Sequence, residues 1–165
     1  ALEGLDFITA WPVHCQIGTF GHAIHADIMS ACTQWENQSL TSVNYNQKGL
    51  HLFSEHYSAI KAEVEDINIP ETLLRQDLVD RYTKAADLTI IVGEAASHCV
   101  ADTLLDIAEY SAPEDLKKII VVTDCMSAVQ GFHLVTQQIF SDLKDKGVRF
   151  MRQAEVINLL KGETV

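Results

Sequence analysis

The chain has 165 residues, 47% hydrophobic and 21% charged, a make-up that fits one folded globular domain and excludes a disordered or fibrous chain. Its 12 basic and 23 acidic side chains give a formal charge of -11, which repels polyanions. Neither nucleic acid nor an anionic membrane is therefore expected as a partner, and a small uncharged substrate is.

In chain order, residues 5–10 (LDFITA) read as a strand, a helical stretch runs from about 25 to 35, and residues 41–45 (TSVNY) read as a second strand. Residues 61–87 read as mostly helical, with Pro70 opening a helix at its first turn. Three short apolar, β-branched runs follow at 88–92 (LTIIV), 118–123 (KIIVVT) and 147–151 (GVRFM). They lack the polar alternation of a solvent-facing strand, so they read as buried parallel strands. Between them, residues 100–110 and roughly 129–146 repeat apolar side chains every three and four positions, as amphipathic helices do. The end, KGETV, reads as frayed.

This β-α-β-α-β alternation places the chain in the α/β class, with a mainly parallel sheet between helical layers. A single domain over residues 1–165 is expected. No apolar run approaches the roughly 18–20 residues of a spanning helix, and no signal-peptide pattern is present, so the expected address is the cytoplasm.

Ligands of open parallel sheets bind where strand ends pass into helices. That rule nominates residues 10–15, 45–58 and 93–99. The four cysteines, Cys15, Cys32, Cys99 and Cys125, have no C-x-x-C spacing, which argues against a disulfide framework or a Cys-rich zinc site.

Cys99 stands in GEAASHCV, after a buried strand and at the start of an amphipathic helix. Unpaired N–H groups and the helix dipole there favour a thiolate, the nucleophilic form. The small residues Gly93, Ala95 and Ala96 would let a carbonyl substrate reach backbone donors for an oxyanion. On pattern alone Cys99 is equally well a small buried hydrophobe. His14 lies in a turn punctuated by Pro12, Gly18 and Gly21, where an imidazole serves either a metal or a loop hydrogen bond. His22 and His25, three apart at a helix start, read as helix-face residues rather than a ligand pair. Lys48, followed by Gly49, can project its ammonium into a strand-end crevice and lower a thiol pKa, or can simply be solvated.

Together the three segments resemble the nicotinamidase branch of the isochorismatase-like cysteine hydrolases. WPVHCQIGTFG is similar to the family's W-P-x-H-C-x-x-G-T-x-G, QKG followed by EHYS to its K-G and Y-S elements, and GEAASHCV to its G-x-A-x-x-x-C-V nucleophile turn. DCMSAV, residues 124–129, fits the strand-end segment that follows. Order and spacing agree, over roughly residues 8–151.

The resemblance implies a three-layer α/β/α fold with Cys99 as nucleophile, Lys48 as catalytic lysine and His14 as one metal ligand. It also implies an oxyanion site from the N–H groups of Ala95 and Cys99, with a cis peptide possible at Glu94–Ala95. The implied chemistry is hydrolysis of a small carboxamide such as nicotinamide through a thioester. A divalent metal, zinc or another transition ion, would hold the substrate and a water. The alternatives are another isochorismatase-like hydrolase, or a catalytically silent binding or assembly subunit.

The family's triad aspartate, in a D-x-Q-x-D-type strand end, and its D-x-H metal ligands normally precede W-P-x-H-C, and neither is found here. Asp6 lies within a strand candidate leading to Trp11 and is not assigned as the general base. The resemblance thus implies N-terminal truncation and loss of the central first strand. Flanking strands would then leave backbone groups unpaired, at about 1–3 kcal/mol each. Stable folding is expected only with a missing N-terminal segment, by rearrangement, or through association such as a homo-oligomer.

Overall fold

The computed structural model describes residues 11–162, so the strand candidate at 5–10, Asp6 and residues 163–165 lie outside the described residues. The chain divides into two compact units, residues 1–46 and 47–165.

In the first unit a short 3-10 turn, Phe20–His22, precedes helix α1, Ala26–Ser39. His25 is its N-cap, and the imidazole Nδ1 accepts the Asp27 N–H at 3.3 Å. His22 and His25 therefore belong to the helix entrance and not to its face, a correction to the sequence reading. Residues 41–45 form no strand. The Val43 N–H, which a ladder would need, donates instead to the Glu36 carboxylate of α1 at 2.8 Å, and Leu40 turns the chain with φ 53°.

The second unit contains a parallel sheet of β1 (Thr89–Ile91), β2 (Ile119–Val122) and β3 (Arg149–Met151), in the order β1-β2-β3. Thr89 is in register with Ile119, and Val121 with Phe150. All four residues of β2 are buried, because helices cover both faces of the sheet. Ile119 and Val121 pack into a core with Leu78 and Val79 of α2 (Gln76–Thr83), Leu104 and Ile107 of α3 (Ala101–Tyr110) and Leu143 of α4 (His133–Asp145). Ile120 and Val122 point the other way, onto Val156 of α5 (Gln153–Lys161). Each fully buried aliphatic side chain contributes about 1.5–3 kcal/mol. The alternation along one strand is what makes the unit three layers deep.

Between residues 61 and 75 the expected helix is replaced by irregular backbone, with only Pro70–Thr72 making a 3-10 turn. Two backbone bonds pull this segment back on itself, Ala62 N–H to Thr72 O at 2.9 Å and Arg75 N–H to Ile60 O at 2.8 Å. Pro70 disfavours a helical residue before it and opens the 3-10 turn, and α2 starts only at Gln76. Helix α4 starts later than its apolar period suggests, because Gly131 turns the chain at φ 92°.

Helix α5 had gone unassigned in the sequence. Its N-terminal N–H groups are taken by two carboxylates, Arg152 N–H to Glu155 at 2.6 Å and Gln153 N–H to Asp124 at 2.7 Å, and Gly162 ends it in the left-handed region. Glu155 three residues into the helix and Gly162 beyond it are recognisable start and stop signals.

Candidate active site

Strand β1 ends at Ile91, and the chain turns through Gly93 at φ 125°. The Glu94–Ala95 peptide is cis. A π-helical turn, Ala96–Val100, then runs directly into α3. Its width is set by Val100, whose N–H reaches back five residues to Ala95 O at 3.1 Å. Cys99 is the fourth residue of this turn, half-buried and with a free thiol.

The segment DCMSAV braces the turn from the next strand end. Gly93 N–H donates to Cys125 O at 3.2 Å, and Ala96 N–H to Ser127 O at 2.8 Å. The Glu94 carboxylate accepts both the N–H and the hydroxyl of Ser127, at 3.0 and 2.9 Å. Buried Ser97 accepts the Val129 N–H at 3.0 Å and lies 2.8 Å from His98 Nδ1. The His98 ring is flanked by Tyr57 and Phe132, with centroids 5.2 and 4.6 Å away, and its burial lowers its pKa.

Lys48 donates from Nζ to the His56 carbonyl oxygen at 2.6 Å. His56 is buried, and among the described residues its Nε2 has no hydrogen-bond partner. Burial and then the charge of Lys48 hold this imidazole below its ordinary pKa, so it is neutral at pH 7. The same segment lies along α3: Ala59 N–H donates to the Thr103 hydroxyl at 3.0 Å, and Thr103 donates in turn to Cys99 O at 2.6 Å. Asp102, adjacent on α3, has its carboxyl pushed up to about 7, by burial first and then by the charges of Glu63 and Asp106, with Lys48 opposing them. Lys48 therefore lies within electrostatic reach of α3, the helix that follows the Cys99 turn.

His98, Asp102 and Thr103 carried no role in the sequence reading. The last two are three and four residues beyond Cys99, the helical spacing that places side chains on neighbouring rows, and that spacing was the available signal.

His14 lies in the first unit, exposed, with Nδ1 2.6 Å from Pro12 O. A carbonyl only accepts, so Nδ1 carries the proton and Nε2 of the neutral ring keeps its lone pair, the arrangement of a metal-ligating imidazole. One imidazole does not make a metal centre. Among the described residues no three His, Cys, Asp or Glu side chains are grouped to hold an ion. The described residues thus supply one candidate ligand for the metal that the resemblance implies, and not a complete centre.

No family model matches the chain, and no curated protein matches it either. Solved structures do. The yeast nicotinamidase Pnc1p superposes with a TM-score of 0.61 at 25% identity, over 87% of this chain and 58% of that one. The fold is that of the nicotinamidases. The same yeast protein bound to the inhibitor nicotinaldehyde superposes with a TM-score of 0.60 at 21% identity, again over 87% of this chain and 58% of that one. A nicotinamidase and pyrazinamidase of Acinetobacter baumanii gives 0.58 at 21% identity, over 88% and 60%. The chain spans about 58–60% of the length of these nicotinamidases.

Proposed function

We propose that this nicotinamidase-like chain carries the nucleophilic part of an amidohydrolase that converts nicotinamide, or a related small carboxamide, to its acid and ammonia. The observation that carries the reading is Cys99 on a strand-to-helix turn of this fold, with the Lys48 segment tied to the same helix. The Cys99 thiolate attacks the carboxamide carbon, and the N–H groups of Ala95 and Cys99 take the oxyanion. The tetrahedral adduct collapses as nitrogen is protonated and leaves as ammonia. Water then adds to the thioester, releasing the acid and restoring the thiol. Lys48 supplies positive charge as negative charge develops.

The family pattern gives the proton transfers to an aspartate that precedes its W-P-x-H-C, and no described residue is proposed for that role. The tautomer of His14 and the resemblance support it as one ligand of a divalent ion, zinc or another transition metal. The net charge of -11 supports a small uncharged substrate over a nucleic acid or an anionic membrane. Among the described residues no helix is long and apolar enough to cross a membrane.

Ammonia release from nicotinamide is expected and is expected to vanish in Cys99→Ala; undiminished turnover by that variant would overturn the mechanism. Nicotinaldehyde, whose carbonyl carbon a thiolate attacks without a leaving group, is expected to protect Cys99 from iodoacetamide, followed at the Cys99 peptide by mass spectrometry. A folded protein that neither turns over nicotinamide nor protects Cys99 supports the silent binding subunit instead.

A further inference from the structure

The geometry points to Thr103 as a positioning residue, one that holds the Lys48-bearing segment in register with the nucleophile turn. The inference rests on the proposed roles of Cys99 and Lys48.

A threonine in a helix commonly donates back to the carbonyl four residues earlier, and the bond from Thr103 to Cys99 O at 2.6 Å is of that kind. What sets Thr103 apart is a second bond, accepted by its own hydroxyl oxygen. The hydroxyl has one proton, which goes to Cys99 O, so its lone pair faces the Ala59 N–H at 3.0 Å, from a segment 44 residues away. Donating and accepting at once, the hydroxyl polarises in the direction that strengthens both bonds.

Ala59 is fixed in its turn. Its neighbours Ser58 and Ile60 are buried, and Ile60 N–H donates to Ser58 Oγ at 3.0 Å. Three residues before Ala59, the His56 carbonyl receives the Lys48 ammonium at 2.6 Å. The route from Lys48 Nζ to the backbone of Cys99 thus runs through His56, the short segment to Ala59, and the single hydroxyl of Thr103. Without that hydroxyl the Ala59 N–H loses its acceptor and the segment has no polar tie to the turn through Thr103.

Thr103→Val keeps the shape and removes both bonds, and Thr103→Ser keeps both and removes a methyl. Each is compared with the native protein by the pH profile of Cys99 alkylation with iodoacetamide, read by mass spectrometry, and by kcat and KM for nicotinamide. Thr103→Val is expected to lower kcat by about tenfold or more with little change in KM, and to shift the alkylation profile, since small misplacement of reacting groups costs rate steeply. Thr103→Ser is expected to restore both measures to within about twofold of native.

A folded Thr103→Val with native kcat and native alkylation profile overturns the inference, whatever its melting temperature. If Thr103→Val does not fold, Thr103→Ser decides: a tenfold loss there assigns the effect to methyl packing and overturns the inference just the same. Turnover that survives Cys99→Ala would instead sink the proposed function, an outcome separate from either.

Discussion

The ammonium of Lys48 and the backbone carbonyl of His56 are 2.6 Å apart, so among the described residues the lysine is held by a main-chain oxygen and not by a carboxylate. A carbonyl directs the charge without neutralising it. The ammonium keeps its full field for whatever lies nearby, including Asp102 on α3.

Removing that charge tests its reach. Lys48→Met is expected to slow alkylation of Cys99 at neutral pH and to lower turnover by about 10²–10⁴-fold. An unchanged alkylation rate would detach Lys48 from the nucleophile.

Asp102 makes stability fall as pH rises. Unfolded, its carboxyl titrates near 3.8; folded, at about 7. Between those values the folded chain holds a proton that the unfolded chain has released. The contribution is fully present below the unfolded value and is lost as pH rises through the folded one. Asparagine holds no such proton. Asp102→Asn is therefore expected to gain melting temperature relative to the native protein from about pH 4 to pH 7, and to hold the gain above that. A difference independent of pH would show that Asp102 titrates normally.

Gly93 leads into the nucleophile turn with φ 125°, a region closed to side chains although nothing lies within 4 Å of the position a Cβ would take. The cost of Gly93→Ala is then conformational and not steric, about 1–3 kcal/mol. Urea unfolding checks it, and a loss below about 0.5 kcal/mol would mean that the turn relaxes freely.

Leu104 is 1% exposed, between β2 and the other helices of its face, and Leu134 on α4 is 80% exposed. Leu104→Ala is expected to cost about 2–5 kcal/mol, and Leu134→Ala less than about 0.5 kcal/mol. Equal costs in thermal or urea melts would contradict the assignment of the core.

The sheet was legible because buried parallel strands need apolar residues on both faces, as IIVV at 119–122 supplies. The amphipathic period of residues 100–110 placed α3, and the segment before it placed Cys99 at the turn. Residues 41–45 and 61–75 misled because local propensity was overruled. The Glu36 carboxylate took a donor that a strand needs, and backbone bonds between residues 60–62 and 72–75 replaced helical ones. Helix α5 was missed although Glu155 and Gly162 marked its ends.

By itself, the sequence determined the α/β class, the three strands and the residue types at the turn, since these follow from burial and period along a few neighbouring positions. Only the tertiary structure decided what Thr103, Asp102 and His56 do. Their states depend on partners tens of residues away in the chain: Ala59 for the hydroxyl of Thr103, Glu63 and Lys48 for the proton of Asp102. Burial of the His56 ring does the rest, leaving Nε2 without a hydrogen-bond partner among the described residues and holding the imidazole below its ordinary pKa. Desolvation and hydrogen bonding are properties of what surrounds a group in space, and no local pattern of residues encodes them.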